Sequence, residues 1–311
     1  MKIKTIAAIV LSVTFCLSAT AESETRQEGT KLILLGTAGG PSTKKNRSQP
    51  ASAIVVNGDI YIVDTGDGVA RQLTLAGLSV TDIRSIFITH NHADHMADYG
   101  TLLLRSWLTG RRDVIQTFGP PPLEKITAHY LDYMRWDIDL KVSDEGRPPL
   151  DQLIDAHDIE TDGVIYSDEN VTVTVFTVTH GAAKPAYGYR FDTADKSIVF
   201  SGDTTPNDNV IKAAKGVDIL VHEVVSVASI DAMIARVAPG NDALRRHILN
   251  NHTNTGEVGE IASEAGVKLL VLSHFGGAGD PVFDRPEVWA TAVRKTYSGP
   301  LIVGEDLTVI E

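Results

Sequence analysis

The densest chemistry in this sequence lies in Thr89-His90-Asn91-His92-Ala93-Asp94-His95. Four side chains able to bind a metal fall within six residues, and three of them are histidines in a chain that has only ten. Where the backbone is still extended, His90 and His92 project to the same side, and the turn beyond can carry Asp94 and His95 round to a neighbouring point. That spacing suits two metal ions better than one. The single cysteine is Cys16, so beyond it a metal site must be built from imidazole and carboxylate. Such a donor set fits Zn²⁺ or a similar divalent ion and excludes thiolate sites.

The elements that must position these residues read as a mixed α/β chain. Short β-branched runs at 33–35, 53–56, 60–63, 83–89 and 114–117 alternate with helical spacing near 69–78, 96–108 and 123–135. Strands return at 171–178, 187–191, 197–201, 219–221, 269–272 and 301–303, with helical stretches near 210–214, 230–237, 256–265 and 286–296. Both halves start with paired strands and then alternate strand and helix, without a readable sequence repeat. Residues 119–159 are less regular and are punctuated by proline and glycine at both ends, which predicts a helical insertion or lid. No linker divides the rest, so residues 31–311 are expected to form one domain, preceded by a tail at 22–30.

Residues 1–21 carry the pattern of a cleaved export signal. Lys2 and Lys4 precede an apolar stretch at 6–17, and Ala19-Thr20-Ala21 supplies the small residues of a cleavage site. Phe15 before Cys16 argues against lipid anchoring. The apolar stretch is short of the roughly 20 residues that span a bilayer, so no membrane insertion is expected, and a periplasmic or secreted location is. The whole chain balances 28 Lys+Arg against 40 Asp+Glu, a net charge of −12. Removing residues 1–21 takes two lysines and no acid, leaving −14. That charge opposes an extended nucleic-acid grip, whose affinity comes mainly from neutralising phosphates.

The motif formed by His90, His92, Asp94 and His95 resembles the His-x-His-x-Asp-His signature of the metallo-β-lactamase superfamily, with the resemblance running from about Lys31 to Glu311. It implies an α/β fold, the four-layer αβ/βα sandwich, with a dinuclear site along one edge. Further ligands are implied in a fixed order and are present: His180 after Thr177-Val178-Thr179, Asp203 in Ser201-Gly202-Asp203-Thr204, and His274 after Val271-Leu272-Ser273. By this resemblance His90, His92 and His180 hold one metal, Asp94, His95 and His274 the other, and Asp203 bridges. A metal pair about 3.5–4 Å apart would acidify a shared water and clamp substrate oxygens. Asp64 matches the early acidic position, with the task of orienting the site.

Leu34-Leu35-Gly36-Thr37, Phe118-Gly119-Pro120, His222-Glu223 and His252-Thr253 look like the ribonuclease Z branch and its arylsulfatase-like relatives. There the residue matching His252 is thought to protonate the leaving oxygen, with Glu223 orienting it. The plainer reading makes Glu223 a strand-end carboxylate and His252 a neighbour of a helix cap. His222 reads as a core residue or one supporting the ligands. Arg245, Arg246 and His247 read as a solvated helix face or as positive charge for a substrate; His129 and His157 carry no motif. Gly36-Thr37-Ala38-Gly39-Gly40 lacks a P-loop ending and reads as a tight turn at the site rim. Trp107, Tyr130, Tyr133 and Trp136 read as packing, or as the lining of a substrate mouth.

The resemblance implies a metal hydroxide attacking a phosphodiester or sulfate ester, with Asp94, Glu223 and His252 in the reacting centre. The basic, glycine-rich arm with which ribonuclease Z grips tRNA is not readable here. The expected substrate is therefore a small anionic ester rather than tRNA. A lactone or β-lactam hydrolase, or a catalytically idle metal- and ligand-binding protein, are the alternatives, and the oligomeric state, homodimer included, is left open.

Overall fold

The computed structural model describes residues 29–277, 279, 282 and 284–311; the expected export signal lies outside them. The first half runs β1 (Thr30–Gly36), β2 (Ala51–Val56), β3 (Asp59–Val63), α1 (Val69–Leu75), β4 (Ile83–Phe87), α2 (Ala93–Met96), α3 (Tyr99–Leu108), β5 (Ile115–Gly119), α4 (Leu123–Tyr133), α5 (Arg135–Glu145) and β6 (Ile154–Asp158). The second half runs β7 (Gly163–Ser167), β8 (Val171–His180), β9 (Ala183–Thr193), β10 (Ser197–Phe200), α6 (Asp208–Ala213), β11 (Ile219–Val225), α7 (Val227–Val237), α8 (Asp242–Leu249), α9 (Thr255–Ala265), β12 (Leu269–Gly276), α10 (Pro286–Val293), β13 (Leu301–Val303) and β14 (Thr308–Ile310).

These strands make two seven-stranded sheets, ordered β14-β1-β2-β3-β4-β5-β6 and β13-β12-β11-β10-β9-β8-β7. In each sheet antiparallel strands give way to a parallel run, β3 to β6 in one and β10 to β13 in the other. The sheets pack face to face through Leu32, Leu34, Tyr61, Phe87, Val173, Tyr189, Phe191 and Val221. Alternate residues of the same strands, such as Ile33, Leu35, Ile60 and Ile62, face α1 and α3 on the outside. On the far side Val199, Leu220, Leu270 and Leu272 pack against Val258, Ile261 and Trp289 of α9 and α10. Both faces of each sheet are thus covered, which is why the central strands read as continuous apolar runs rather than alternating ones. The result is the four-layer αβ/βα sandwich. No helix among the described residues is long and apolar enough to cross a membrane.

The segment 119–159 is not an insertion or lid. It is the crossover from β5 through α4 and α5 to β6, which pairs parallel to β5 at the edge of the first sheet. Leu131 and Ile138 of the crossover pack with Leu104, Trp107, Leu150 and Leu153 in their own small core. The proline and glycine at its ends are turn chemistry of an ordinary crossover.

Candidate metal centre

The residues assigned to the metal centre sit at or near strand ends, or where a loop passes into the first turn of a helix. Asp64 follows β3, and His90 and His92 follow β4, with His92 capping α2 and Asp94 and His95 in its first turn. His180 ends β8, Asp203 follows β10, Glu223 lies near the end of β11, and His274 lies near the end of β12. Asp64 and His274 have left-handed backbone, with φ of 60° and 47°, so the chain turns sharply at both points. Gly202 also has positive φ, and a Cβ there would collide with the carbonyl oxygen of Tyr187.

His90 Nε2 approaches His92 Nδ1 to 2.9 Å, and His180 Nε2 approaches the same nitrogen to 3.2 Å. Three ring nitrogens therefore converge on one point. A second cluster gathers Asp94, His95 and His274, with Asp94 Oδ2 at 3.6 Å from His95 Nε2 and 3.5 Å from His274 Nε2. Asp203 Oδ2 stands between the two, 3.8 Å from His90 Nε2, 3.7 Å from His180 Nε2, 3.5 Å from His95 Nε2 and 3.3 Å from His274 Nε2. One carboxylate oxygen thus faces both clusters.

The donor set fits a pair of divalent cations. His95 Nε2 and His274 Nε2 are buried and make no hydrogen bond, a cost the protein would relieve by giving their lone pairs to a metal. Burial lowers the pKa of His90, His92 and His180, which favours the neutral imidazole that coordination requires. Asp203 stays ionised despite its burial because His274 and His95 hold its carboxyl well below the usual range. Burial would lower His95 as well, but the carboxylates of Asp203 and Asp64 outweigh it and raise the metal-free ring above its ordinary value, so a cation binding at Nε2 would displace a proton.

The ligands are oriented from behind. Asp64 Oδ2 accepts the Nδ1 proton of His95 at 2.8 Å, while Asp64 Oδ1 accepts from the backbone N–H of Thr89 at 2.8 Å. His180 Nδ1 donates to the carbonyl of Asn251 at 2.9 Å. Each bond fixes the tautomer that turns Nε2 toward the metal position. Gly39 is required beside them, since a Cβ would sit 2.9 Å from His274 Nδ1 and 2.8 Å from Gly276 N. The glycine segment does line the cleft through Gly39 and Gly40, but it is no tight turn: it runs extended beside β12, with Ala38 bridged to Phe275, and bends only at Gly40.

Glu223 and His252 come together. Glu223 Oε1 lies 2.9 Å from His252 Nδ1 and also accepts from the backbone of Thr204 at 3.0 Å and Thr253 at 3.3 Å. The cap of α9 is Asn254, closed by a capping box with Glu257, so His252 is not spent on the helix. Burial opposes its charge, but Glu223 and then Asp203 raise the pKa of His252 to about 9. Its ring packs against the rings of His180 and His274, at centroid distances of 4.8 and 5.8 Å.

A cleft of about 510 Å³ opens over both clusters. His247 lines it, whereas Arg245 points to Asp231 at 2.6 Å on the surface. Lys44, Ile230, Met233, Leu244 and Ile248 also line it, and no local pattern marks them as site residues. The aromatic residues considered for its mouth are elsewhere: Trp107 and Tyr130 pack in the α4–α5 core, and Tyr133 and Trp136 are exposed away from the cleft. His222 is buried with Nδ1 donating to the carbonyl of Glu223 at 2.7 Å. His157 stacks on Phe118, with ring centroids 4.7 Å apart.

Residues 60–275 match the family model described as β-lactamase superfamily domain. The chain belongs to the metallo-β-lactamase superfamily. It is 30% identical over 285 residues to a ribonuclease Z of Mycobacterium sp. (strain KMS), covering 90% of this chain and 95% of that one. Among solved structures it resembles the metallo-β-lactamase fold protein YhfI from Bacillus subtilis, with a TM-score of 0.66 at 19% identity over 91% of this chain and all of that one. It also resembles human tRNase Z, short form, with a TM-score of 0.64 at 20% identity over 90% and 98% of the two chains. With the superfamily comes its class of activity: this is a metal-dependent hydrolase acting on ester bonds, and its His/Asp clusters are where such a fold binds divalent metals.

Proposed function

We propose that this metallo-β-lactamase-fold protein is an exported di-zinc hydrolase of small anionic esters, phosphodiesters or sulfate esters, and not a tRNA-processing enzyme. The observation that carries the reading is the Glu223–His252 pair standing 2.9 Å apart beside Asp203. When bound, two zinc ions would supply Lewis acidity and a water acidified for attack. His90, His92 and His180 would hold one ion and Asp94, His95 and His274 the other, with Asp203 shared. Asp64 and the Asn251 carbonyl keep two of these ligands in register by fixing the His95 and His180 rings. Glu223 fixes His252 through Nδ1, leaving Nε2 to pass a proton to the departing alkoxide oxygen, which a phosphate or sulfate ester needs and a strained amide or lactone ring needs less.

The case against tRNA rests on charge and on the N-terminal pattern. A net charge of −14 for residues 22–311 repels a polyanion, while a small ester needs only the local cations. The pattern at residues 1–21 supports export to the periplasm or beyond. The test is to prepare residues 22–311 with zinc and compare bis-p-nitrophenyl phosphate, p-nitrophenyl sulfate, a lactone and nitrocefin at matched concentrations. Faster turnover of the phosphodiester or the sulfate is expected. Dominant turnover of the lactone or nitrocefin would overturn the reading.

A further inference from the structure

We propose that the α7–α8 wall of the cleft is a binding site for an apolar organic group, aryl or branched alkyl, carried on the ester oxygen that His252 serves. This rests on the ester-hydrolase reading above and adds the substrate's other half to it. Ile230 and Met233 lie one turn apart on α7, and Leu244, His247 and Ile248 share one face of α8. Ile230, Met233, Leu244 and Ile248 pack together, and all four also line the cleft. Ile230 is fully buried, while Met233, Leu244 and Ile248 keep part of their surface open to the cleft. Facing the metal ligands with half-covered aliphatic side chains is unfavourable unless a ligand completes the burial.

The position of the wall says which part of the ester it takes. His252 follows the last turn of α8 closely, four residues after Ile248, and its ring lies against those of His180 and His274. The acid therefore stands beside the ligand clusters, in the cleft that the apolar wall also lines. An ester whose phosphorus or sulfur faces the clusters and whose leaving oxygen meets His252 places its organic group on Met233, Leu244 and Ile248. The wall is also held in register with the centre. The Asn251 side chain bonds His247 Nδ1 at 3.0 Å while its carbonyl accepts from His180 at 2.9 Å. Lys44, which also lines the cleft, donates to Ser42 Oγ at 2.8 Å.

The experiment is calorimetric binding of 1-naphthyl phosphate and methyl phosphate to zinc-loaded protein, for the wild type, for Met233→Ser/Leu244→Ser, and for the volume-conserving Met233→Leu/Leu244→Met. The wild type is expected to bind 1-naphthyl phosphate at least roughly tenfold more tightly than methyl phosphate, the factor expected from covering an aromatic ring. The serine pair should lose most of that preference while still binding methyl phosphate, which also reports that it is folded, and the Leu/Met pair should keep it. Equal affinities in the wild type, or equal losses for both ligands in the serine pair, would overturn the wall as an apolar site. Turnover of bis-p-nitrophenyl phosphate separates the two levels. A naphthyl preference without turnover leaves the wall standing and sinks the hydrolase reading; turnover without the preference does the reverse.

Discussion

Asp64 accepts the Nδ1 proton of His95 at 2.8 Å, and through the same carboxylate it binds the backbone and hydroxyl of Thr89, the residue immediately before His90. A single side chain at the end of β3 therefore ties one ligand from each cluster segment to the first sheet. Its left-handed backbone, with φ of 60°, is what turns it into the site.

Asp64→Ala is accordingly expected to weaken metal binding about 10- to 100-fold, the usual cost of removing a partner that orients a ligating histidine. Metal content and affinity by mass spectrometry and competition with a chelator check this. An unchanged affinity would make Asp64 a folding residue only.

Asp203→Ala should remove more metal than His92→Ala, because Asp203 Oδ2 faces both clusters whereas His92 belongs to one. The expected outcome is near-complete loss of bound metal in the first variant and partial loss in the second. Equal, full occupancy in both would refute the ligand assignment.

His252→Ala should retain its metal and turn over esters roughly 10²–10⁴-fold more slowly, the range for removing a general acid. Glu223→Gln should fall in the same direction by less, since the amide can still accept from His252 Nδ1. Loss of metal in His252→Ala would place that ring among the ligands instead.

Gly39→Ala tests the glycine segment at the rim. Its Cβ has no room beside His274 Nδ1 and the Gly276 backbone, so His274 must shift, and the variant should bind less metal at the cluster of Asp94, His95 and His274. A variant with wild-type metal content and melting temperature would show that the segment can yield.

A pH dependence is expected from Asp218, which accepts from Lys268 at 2.7 Å and from both the backbone and the hydroxyl of Ser197. Its hydrogen bond to Lys268, opposed by slight burial, lowers its pKa to about 2. Because the folded value lies below the ordinary one of about 3.9, the stabilisation is fully present above pH 4 and is lost as pH falls through about 2. In metal-free protein, Asp218→Asn should cost about 1 kcal/mol at neutral pH and nothing near pH 2. A difference in melting temperature that is constant with pH would exclude this ion pair as the cause.

Much of the centre was legible in the sequence because its signals are short-range. His90, His92, Asp94 and His95 lie within six residues, and His180, Asp203 and His274 stand at or just past the ends of runs with strand pattern, in the order the resemblance implies. The central strands were legible for the same reason, being buried on both faces. The strands that local pattern did not disclose, β6, β7 and β14, all lie at sheet edges, where half-exposed residues such as those of Ile154–Asp158 lose the apolar run. Gly119-Pro120-Pro121-Pro122 marked a boundary correctly, but whether a crossover or an insertion followed depended on β6 finding β5.

The chain by itself determined the metal-competent cluster from His90 to His95, because ligand chemistry is a property of residue types at close spacing, and its resemblance to the superfamily supplied the further ligands, their order and the hydrolytic class. Only the tertiary structure decided that one oxygen of Asp203 faces both clusters, that Glu223 is spent on His252 rather than on a helix end, and that an aliphatic wall from α7 and α8 lines the same cleft as Lys44. These pairs are separated by 29 residues in one case and by about 200 in another. Sheet register and helix packing bring them together, and neither leaves a periodic trace in the local sequence.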